Sequence, residues 1–391
     1  MEYSFLENLV EKPISGEWGS AEGNVNVIRT ANFTNNGKIN FSKVVGRDIA
    51  EKKVENKKLQ IEDIIIEKSG GSPTQPVGRV VFFEKNGLFL CNNFTSILRP
   101  LKQQVYPKYL HYILFCNHKF GFVKQYQNKT TGIINLQLAK YLKNTQIPLP
   151  PLPEQQKIAA ILDAADQLRQ NDQQLIEKYN ELSQSLFLDM FGDPVVNPMG
   201  WDKVEFGSIG KLDRGKSKHR PRNAPELLGG IHPLIQTGDV ANCGGYIRKY
   251  NSTYSDIGLA QSKIWEAGTL CITIAANIAK TGILTFDTCF PDSVVGFVPN
   301  DKSDKEFVRY WLSFLQKTLE DTAPMAAQKN INLKILRELD LPLPPITLQN
   351  QFAERIQAIE SQKQQAQASL QKSEDLFNSL LQRAFKGELT A

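Results

Sequence analysis

The feature of this sequence that most constrains its fold is an internal repeat. The segment IPLPPLPEQQKIAAILDAADQLRQ, which begins at Ile147, aligns without a gap with LPLPPITLQNQFAERIQAIESQKQ, which begins at Leu341, an offset of 194 residues. The similarity continues into LIEKYNELSQSLFLDMF in the first copy and LQKSEDLFNSLLQRAFK in the second. Because two unrelated surface helices would not share such a correspondence, the chain is expected to contain two copies of one structural unit.

Each copy predicts one long helix after a proline-rich segment. Pro153 and Pro345 act as start signals, and neither Gly nor Pro interrupts the residues that follow, so the first helix is expected over residues 154–190. Apolar residues recur at spacings of three and four, which predicts that the helices pair antiparallel as a coiled coil. The predicted seam contains Ile158, Ile161, Ala165, Leu168, Leu175, Tyr179, Leu182 and Leu186 in the first helix, and Phe352, Ile356, Ile359, Ala366, Leu370, Phe377, Leu380 and Ala384 in the second. Asp172 and Lys363 interrupt it.

Fainter matches upstream extend the repeat to the whole chain. VNVIRTANF at 25–33 resembles HPLIQTGDV at 232–240, and KYLHYIL at 108–114 resembles FVRYWLS at 307–313. We therefore predict an α+β fold with two similar α/β globular domains, separated by two long antiparallel helices and related by a pseudo-two-fold repeat. The expected boundaries are 1–146 and 193–340 for the globular domains and 147–192 and 341–391 for the helical spacers.

Charge and cysteine content narrow the class of protein. The net charge of +5 is compatible with binding to a polyanion. The five cysteines lack C-x-x-C spacing and the four histidines lack metal-ligand spacing, so no metal site is predicted. Neither a signal peptide nor an apolar run long enough to span a bilayer is present, which predicts a soluble cytoplasmic protein.

The stretch GKLDRGKS at 210–217 fits the pattern of a nucleotide-binding phosphate loop. That function requires a helix that begins at the Gly-Lys pair, because the helix amides hold the phosphate. Pro221 and Pro225 follow too closely for such a helix, and the preceding DKVEFGSI alternates like a half-buried strand. We therefore do not expect this basic loop to bind a nucleotide, and its charge needs another explanation.

Over essentially its full length the chain resembles the specificity subunit of type I restriction-modification enzymes. The resemblance rests on IPLPPLPEQQKIAAILD, LPLPPITLQNQFAERI, GWDKVEFGSIGKL and the closing LLQRAFKGELT. It implies a subunit without catalytic activity, whose two target-recognition domains are each similar to the DNA-reading domain of TaqI-type adenine methyltransferases. Each domain would read one half of a bipartite site in double-stranded DNA.

The resemblance also implies partners and cofactors. The chain would recruit two modification subunits, which methylate adenine, and restriction subunits with a nuclease and a motor. S-adenosylmethionine, ATP and Mg would then be bound by those partner subunits, with no cofactor in this chain. The family usually carries P-P-x-x-E-Q at the proline-rich segment; the first copy keeps Glu154 and Gln155, which are candidates for partner binding, whereas the second reads PPITLQNQ.

Candidate DNA contacts are basic, amide and hydroxyl side chains of the globular domains, because Lys and Arg neutralise phosphates and amides can read base edges. In the second domain they are Arg214, Lys216, Lys218, Arg220 and Arg222, with Gln328, Lys329 and Asn330 in AAQKNIN. In the first domain they are Lys43, Arg47 and Arg79, with Lys129, Thr130 and Thr131 in QNKTTG. Two alternatives remain: an ATPase that uses Gly215, Lys216 and Ser217, and a coiled-coil adaptor that does not bind DNA.

Overall fold

The computed structural model describes residues 2–130, 133–275, 279–322 and 332–389, with side chains except at 129–130 and 317–322. The chain forms two compact units: unit 1 combines Met1–Gln173 with Gln367–Ala391, and unit 2 is Gln174–Ala366. Each unit contains an α/β part, here called head 1 and head 2, and portions of two long helices. This arrangement confirms the predicted fold class.

Head 1 is built from short strands around one buried helix. Its strands are β1 (Tyr3–Phe5), β2 (Ile14–Ser15), β3 (Val25–Ile28), β4 (Val45–Arg47), β5 (Ile64–Glu67), β6 (Ser69–Gly71), β7 (Val80–Phe82), β8 (Phe89–Cys91), β9 (Thr95–Leu98), β10 (Gln127–Thr130), β11 (Ile133–Leu136) and β12 (Gln146–Pro148), and its helices are α1 (Glu51–Lys57), α2 (Pro107–Lys119) and α3 (Leu138–Asn144). Three of its sheets have the orders β2-β9-β5-β7, β4-β3-β8 and β10-β11-β6. The long helix α4 (Leu152–Phe191) follows.

Head 2 has a larger sheet. Its strands are β13 (Lys203–Glu205), β14 (Gly210–Arg214), β15 (Leu228–Leu234), β16 (Tyr246–Ile247), β17 (Ser252–Tyr254), β18 (Ile264–Trp265), β19 (Leu270–Thr273), β20 (Thr281–Leu284), β21 (Thr288–Cys289), β22 (Val294–Pro299) and β23 (Asp340–Pro342), and its helices are α5 (Thr237–Ala241), α6 (Asp256–Ala260), α7 (Lys305–Thr322) and α8 (Leu333–Arg337). The two larger sheets have the orders β14-β22-β19-β20-β16 and β17-β15-β21-β18. The second long helix is α9 (Ile346–Lys386).

Both heads are closed in the same way. The first strand of each head pairs antiparallel with its last strand, β1 with β12 and β13 with β23. In both heads the first strand leads into a 3-10 turn that buries a large apolar side chain, Leu6 or Phe206. The chain therefore enters and leaves each head at adjacent strands, just before a long helix begins.

The long helices pack together, as predicted. In unit 1 the guanidinium of Arg169 lies over the ring of Phe377, 4.6 Å from its centroid. One turn later in α4, the buried carboxylate of Asp172 accepts hydrogen bonds from the hydroxyls of Ser369 (3.1 Å) and Ser373 (2.9 Å) in α9. Because the later residue of α4 contacts earlier residues of α9, the two segments run antiparallel. The predicted interruption at Asp172 is thus a satisfied polar contact within the seam.

The predicted seam is correct for α9 and partly wrong for α4. Every predicted seam residue of α9 is buried or half-buried, whereas four of those predicted in α4 are at least 40% exposed: Ile161, Leu168, Leu175 and Leu182. The buried face of α4 instead contains Ile158, Leu162, Ala165, Arg169, Asp172, Ile176, Ser183 and Phe187. Arg169, Asp172 and Ser183 belong to this face because of their polar contacts, which an apolar pattern does not reveal. The apolar pattern therefore included exposed residues on a neighbouring stripe of the helix.

Candidate nucleic-acid interface

The basic loop of head 2 follows an edge strand and does not lead into a helix. Residues 210–214 form β14, which pairs antiparallel with β22, and residues 215–224 are irregular as far as a 3-10 turn at Pro225–Leu227. A nucleotide-binding phosphate loop would need helix amides at Lys216 and Ser217. Their absence in this described segment excludes that use of GKLDRGKS.

The loop is anchored to head 2 through its backbone. The Ser262 hydroxyl donates to the carbonyl of Lys216 (2.9 Å), and the Gln261 side-chain oxygen accepts from the amides of Lys218 (2.6 Å) and His219 (3.1 Å). A side chain at Gly215 would collide with the Phe290 carbonyl, at 2.2 Å from the added Cβ. Gly215 therefore allows the loop to pack closely on its own head. The contacts that anchor the loop use backbone atoms, and the side chains of Lys216 and Lys218 are exposed to solvent.

The cations of this loop fall into two groups. Arg214, Lys216 and Lys218 are exposed, and no ion pair is found for them among the described residues. Arg220 and Arg222 both lie beside Asp292, Arg222 in a close ion pair and Arg220 at 3.8 Å. The first group keeps its full positive charge toward solvent, whereas Asp292 partly neutralises the second.

A concavity of about 260 Å³ lies beside the loop. Its rim carries the side chains of Arg222, Asn223 and Gln236, and its floor includes the buried Tyr254 and Leu234. Guanidinium and amide groups have the donors and acceptors needed to read base edges. Gln236 was not singled out from the sequence, because only the fold brings it next to the basic loop, and Asn223, which lies in the loop itself, was passed over because it carries no charge.

The candidates in head 1 are less uniform. Lys43 is exposed, and Arg47 lies 3.8 Å from the centroid of the Trp18 ring, where its charge is held against an aromatic face. Arg79 is already paired: it makes a two-point ion pair with the buried carboxylate of Glu67, with both N–O distances 2.9 Å. This ion pair holds the guanidinium of Arg79 inside the head, and its role as a DNA contact stays a prediction.

Some predicted DNA contacts lie wholly or partly outside the part of the chain that the structure describes. The backbone of Lys129 and Thr130 belongs to β10, which pairs with β11, but their side chains are not among those described. Thr131, Gln328, Lys329 and Asn330 lie outside the described residues. Their role as DNA contacts stays a prediction.

The predicted partner contact at Gln155 is an internal one. The side chain is 1% exposed; its oxygen accepts from the amide of Tyr106 (2.8 Å) and its nitrogen donates to the carbonyl of Pro150 (2.8 Å). In unit 2 Gln349 repeats this arrangement with the amide of Asp304 (2.9 Å) and the carbonyl of Pro344 (2.8 Å). Each glutamine thus attaches the start of a long helix to the start of α2 or α7.

Glu154 remains partly accessible. Its carboxylate is 3.3 Å from Lys157 on the same helix. The larger accessible feature of α4 is its stripe of Ile161, Leu168, Leu175 and Leu182, which repeats every seventh residue. Exposed apolar residues in such a stripe are typical of a helix that packs against another helix.

Two further kinds of site are not found. Within the described residues, no group of three or more His, Cys, Asp or Glu side chains is arranged to hold a metal ion. In the same residues, no helix has both the length and the apolar character needed to cross a bilayer. The features that stand out are the basic loop with its concavity and the apolar stripe of α4.

Comparison with known families decides the class of protein. The family model for the type I restriction modification DNA specificity domain matches residues 13–179 and 198–372. The chain belongs to this family. It is a DNA specificity subunit of a type I restriction-modification system, and thus a non-catalytic subunit, which confirms the resemblance inferred from the sequence. The two matched segments correspond to the two copies of the internal repeat.

Individual specificity subunits show the same relationship. The putative type I restriction enzyme MjaX specificity subunit of Methanocaldococcus jannaschii is 26% identical over 325 residues, covering 80% of this chain and 75% of the relative. The EcoKI specificity subunit of Escherichia coli K12 is 22% identical over 372 residues, covering 86% and 77%. The crystal structure of an S subunit from M. genitalium superposes with a TM-score of 0.61 at 17% identity, covering 98% of this chain and 96% of that one. This specificity subunit therefore shares their fold over nearly its whole length.

Proposed function

We propose that this specificity subunit recognises a bipartite site in double-stranded DNA, with one head on each half-site, in a complex with two modification subunits and with restriction subunits. S-adenosylmethionine, ATP and Mg would be bound by those partners. The division of the chain into two units, each with its own core, supports independent reading by the two heads. The pseudo-repeat also suits duplex DNA, whose backbone has two-fold symmetry.

The observation that carries the proposal is the exposed charge of the head 2 loop. Arg214, Lys216 and Lys218 project from a backbone that Gln261 and Ser262 anchor. Lys and Arg side chains held in this way contact phosphates and set the position of a protein along the duplex. Lys43 and Arg47 are the proposed counterparts in head 1.

Base reading in head 2 is assigned to the rim of the concavity. Arg222, Asn223 and Gln236 surround one opening next to the phosphate-binding side chains. An amide pairs well with adenine and a guanidinium with guanine in the major groove. Gln328, Lys329 and Asn330, and in head 1 Lys129, Thr130 and Thr131, are kept as further proposed contacts.

The partner surface is assigned to α4. The stripe of Ile161, Leu168, Leu175 and Leu182 offers side chains that a partner helix can bury, and Glu154 lies on the same helix. We propose that modification subunits bind here. This replaces the proposed contact at Gln155, whose side chain is enclosed.

The test is the salt dependence of DNA binding by the complex with modification subunits. Lys216→Ala and Lys218→Ala should each weaken binding and reduce the slope of log K against log salt by about one, because each removes one phosphate contact. Lys372→Ala, which removes a charge from α9, serves as the control and should leave the slope unchanged. Unaltered slopes in both loop variants would contradict the proposal.

DNA binding, nucleotide binding and ATP hydrolysis, measured on the same variants, separate the proposed function from the two alternatives. A coiled-coil adaptor would show no salt-dependent binding to duplex DNA. An ATPase would lose nucleotide binding in Lys216→Ala, whereas the proposed loop keeps ATP hydrolysis by the assembled complex intact, since the motor belongs to a restriction subunit.

A further inference from the structure

One acidic residue occupies the same position of the repeat in both long helices. Asp166 of α4 and Glu360 of α9 are 194 residues apart, the offset at which the two helix-forming segments align. Both are nearly enclosed, with 4% and 9% of their surface exposed. A buried carboxylate is costly unless cations and hydrogen-bond donors surround it, so the contacts of each acid are informative.

In unit 1, Asp166 joins α4 to a loop of head 1. The Lys38 ammonium nitrogen lies 2.9 Å from one carboxylate oxygen, and Arg169, one turn later in α4, forms a close ion pair with the other. The Gln170 side chain also donates to Asp166 (2.6 Å). Arg169 continues the connection, because its guanidinium donates to the Asn36 side-chain oxygen (3.2 Å) in the same head loop.

In unit 2, Glu360 makes the corresponding contacts. The Arg248 guanidinium of head 2 lies 2.9 Å from one carboxylate oxygen, and Lys363 lies 3.7 Å from the other. Lys363 is the equivalent of Arg169 at the same offset. Its place in the predicted seam of α9 is therefore explained by an ion pair. The acid and its helix cation recur in both copies, each facing a cation from its own head.

The two head cations come from related segments, here called the head loops. Lys38 is in residues 34–39, which directly follow 25–33. Arg248 is in residues 244–249, which include the short strand β16 and shortly follow 232–240; 25–33 and 232–240 are the segments matched by the repeat. Each loop carries a glycine with positive φ, Gly37 (73°) and Gly245 (107°). A Cβ on either glycine would collide with a side chain of α2 or α7, at 2.9 Å from Phe115 or 2.5 Å from Arg309. The loops are thus pressed against these helices.

We propose that Asp166 and Glu360 are positioning residues that fix the orientation of each head on its own long helix, and so restrict the spacer length between half-sites that the complex accepts. This inference rests on the proposed function. Each acid is bonded from both sides, by a cation of the helix and by a cation of the head. A head that rotates on its helix would separate its cation from a buried carboxylate, so a single orientation is favoured.

The first test needs no DNA. In the full chain, Lys38→Ala should raise amide hydrogen exchange in residues 34–39 by roughly three- to tenfold and leave residues 244–249 unchanged. Arg248→Ala should do the reverse. These head variants replace exposed side chains, so the folded state is retained. Lys249→Ala, which removes a neighbouring charge that has no described ion pair, and Arg248→Lys, which keeps the charge, are controls that should match the wild type.

The second test measures the spacer. Duplexes with unchanged half-sites and a spacer one base pair shorter or longer would be compared with the cognate duplex in the assembled complex. The preference of the wild type for the cognate spacer should fall by roughly three- to tenfold in Lys38→Ala and in Arg248→Ala. The half-site sequences should stay the same. Glu354→Gln, which removes an exposed acid from α9, should retain the full preference.

The outcomes separate this inference from the function on which it rests. Loosened loops with an unaltered spacer preference would overturn the positioning role, and so would unaltered loops. A wild-type complex that shows no preference for a bipartite site would instead overturn the proposed function, while the exchange experiment would still report whether the contacts hold the loops.

Discussion

One buried histidine, His111, makes the stability of head 1 depend on pH. The ring of His111 in α2 lies tilted against that of Phe82, with ring centroids 5.4 Å apart, and its Nδ1 has no hydrogen-bond partner among the described residues. Burial, which is the largest cause, and the charges of Lys108 and Lys38 together lower the pKa of His111 to about 3, and the charge of Asp166 opposes them. The folded chain therefore keeps this ring neutral at pH values where the unfolded chain, with a pKa near 6.5, takes up a proton.

This difference predicts acid sensitivity of unit 1. A lowered folded pKa contributes stability that is present above about pH 6.5 and is lost as the pH falls toward 3. Between pH 7 and pH 5 the free energy of unfolding should decrease by about 2 kcal/mol on account of His111. His111→Phe should remove that part of the decrease, whereas His219→Gln in head 2 should not. Amide exchange of α2 at the two pH values measures the effect, and equal losses in wild type and His111→Phe would contradict it.

At the scale of elements, α4 shows what an apolar pattern can and cannot determine. The helix was expected over 154–190 and spans Leu152–Phe191. Its length follows from the absence of Gly and Pro between Pro153 and Gly192, which is a local property. Its buried face depends on partners in other elements: the carboxylate of Asp172 accepts hydrogen bonds from the hydroxyls of Ser369 and Ser373 in α9. Such pairing lies outside the reach of a pattern that ranks residues by hydrophobicity.

The corrected face can be tested with two similar substitutions. Leu162→Ala removes a side chain that is fully buried in the core of unit 1, and should cost about 2–5 kcal/mol of unfolding free energy. Leu168→Ala removes an exposed leucine of the same helix and should cost less than about 0.5 kcal/mol. Urea denaturation of the two variants measures both. Equal costs would mean that Leu168 belongs to the seam after all.

At the scale of the whole molecule, the sequence predicts the architecture well and the individual contacts between side chains poorly. The repeat, the two helices and the family follow from sequence matches that need no coordinates. Two features of the candidate interface depend on the fold: Arg79 is bound to Glu67, a residue of β5, and Gln236 comes next to the basic loop only through folding. Ion pairs between strands depend on register, which the sequence of either strand alone does not specify.

Exchange of a whole head is the corresponding prediction. Replacing residues 201–340 with the second head of another specificity subunit should change one half of the recognised site and leave the other half unaltered, because head 2 contains core clusters made of its own residues alone. Sequencing of methylated sites in cells that express the chimera with its partners gives both halves. The reciprocal exchange of residues 1–146 is the matched control. Changes in both halves would show that the heads read DNA jointly.

The two buried glutamines have a consequence for how new specificities arise. Gln155 and Gln349 bind the amides of Tyr106 and Asp304 and the carbonyls of Pro150 and Pro344. All four partners are main-chain groups. Every residue type has a main-chain carbonyl, and every type except proline has a main-chain N–H. The glutamine anchor therefore places almost no demand on the head's own sequence, unlike the ion pairs of Asp166 and Glu360, which need Lys38 or Arg248 from the head. Mutation and recombination can alter a head's DNA-reading surface without losing this anchor, so a lineage can change its target while the joint stays the same.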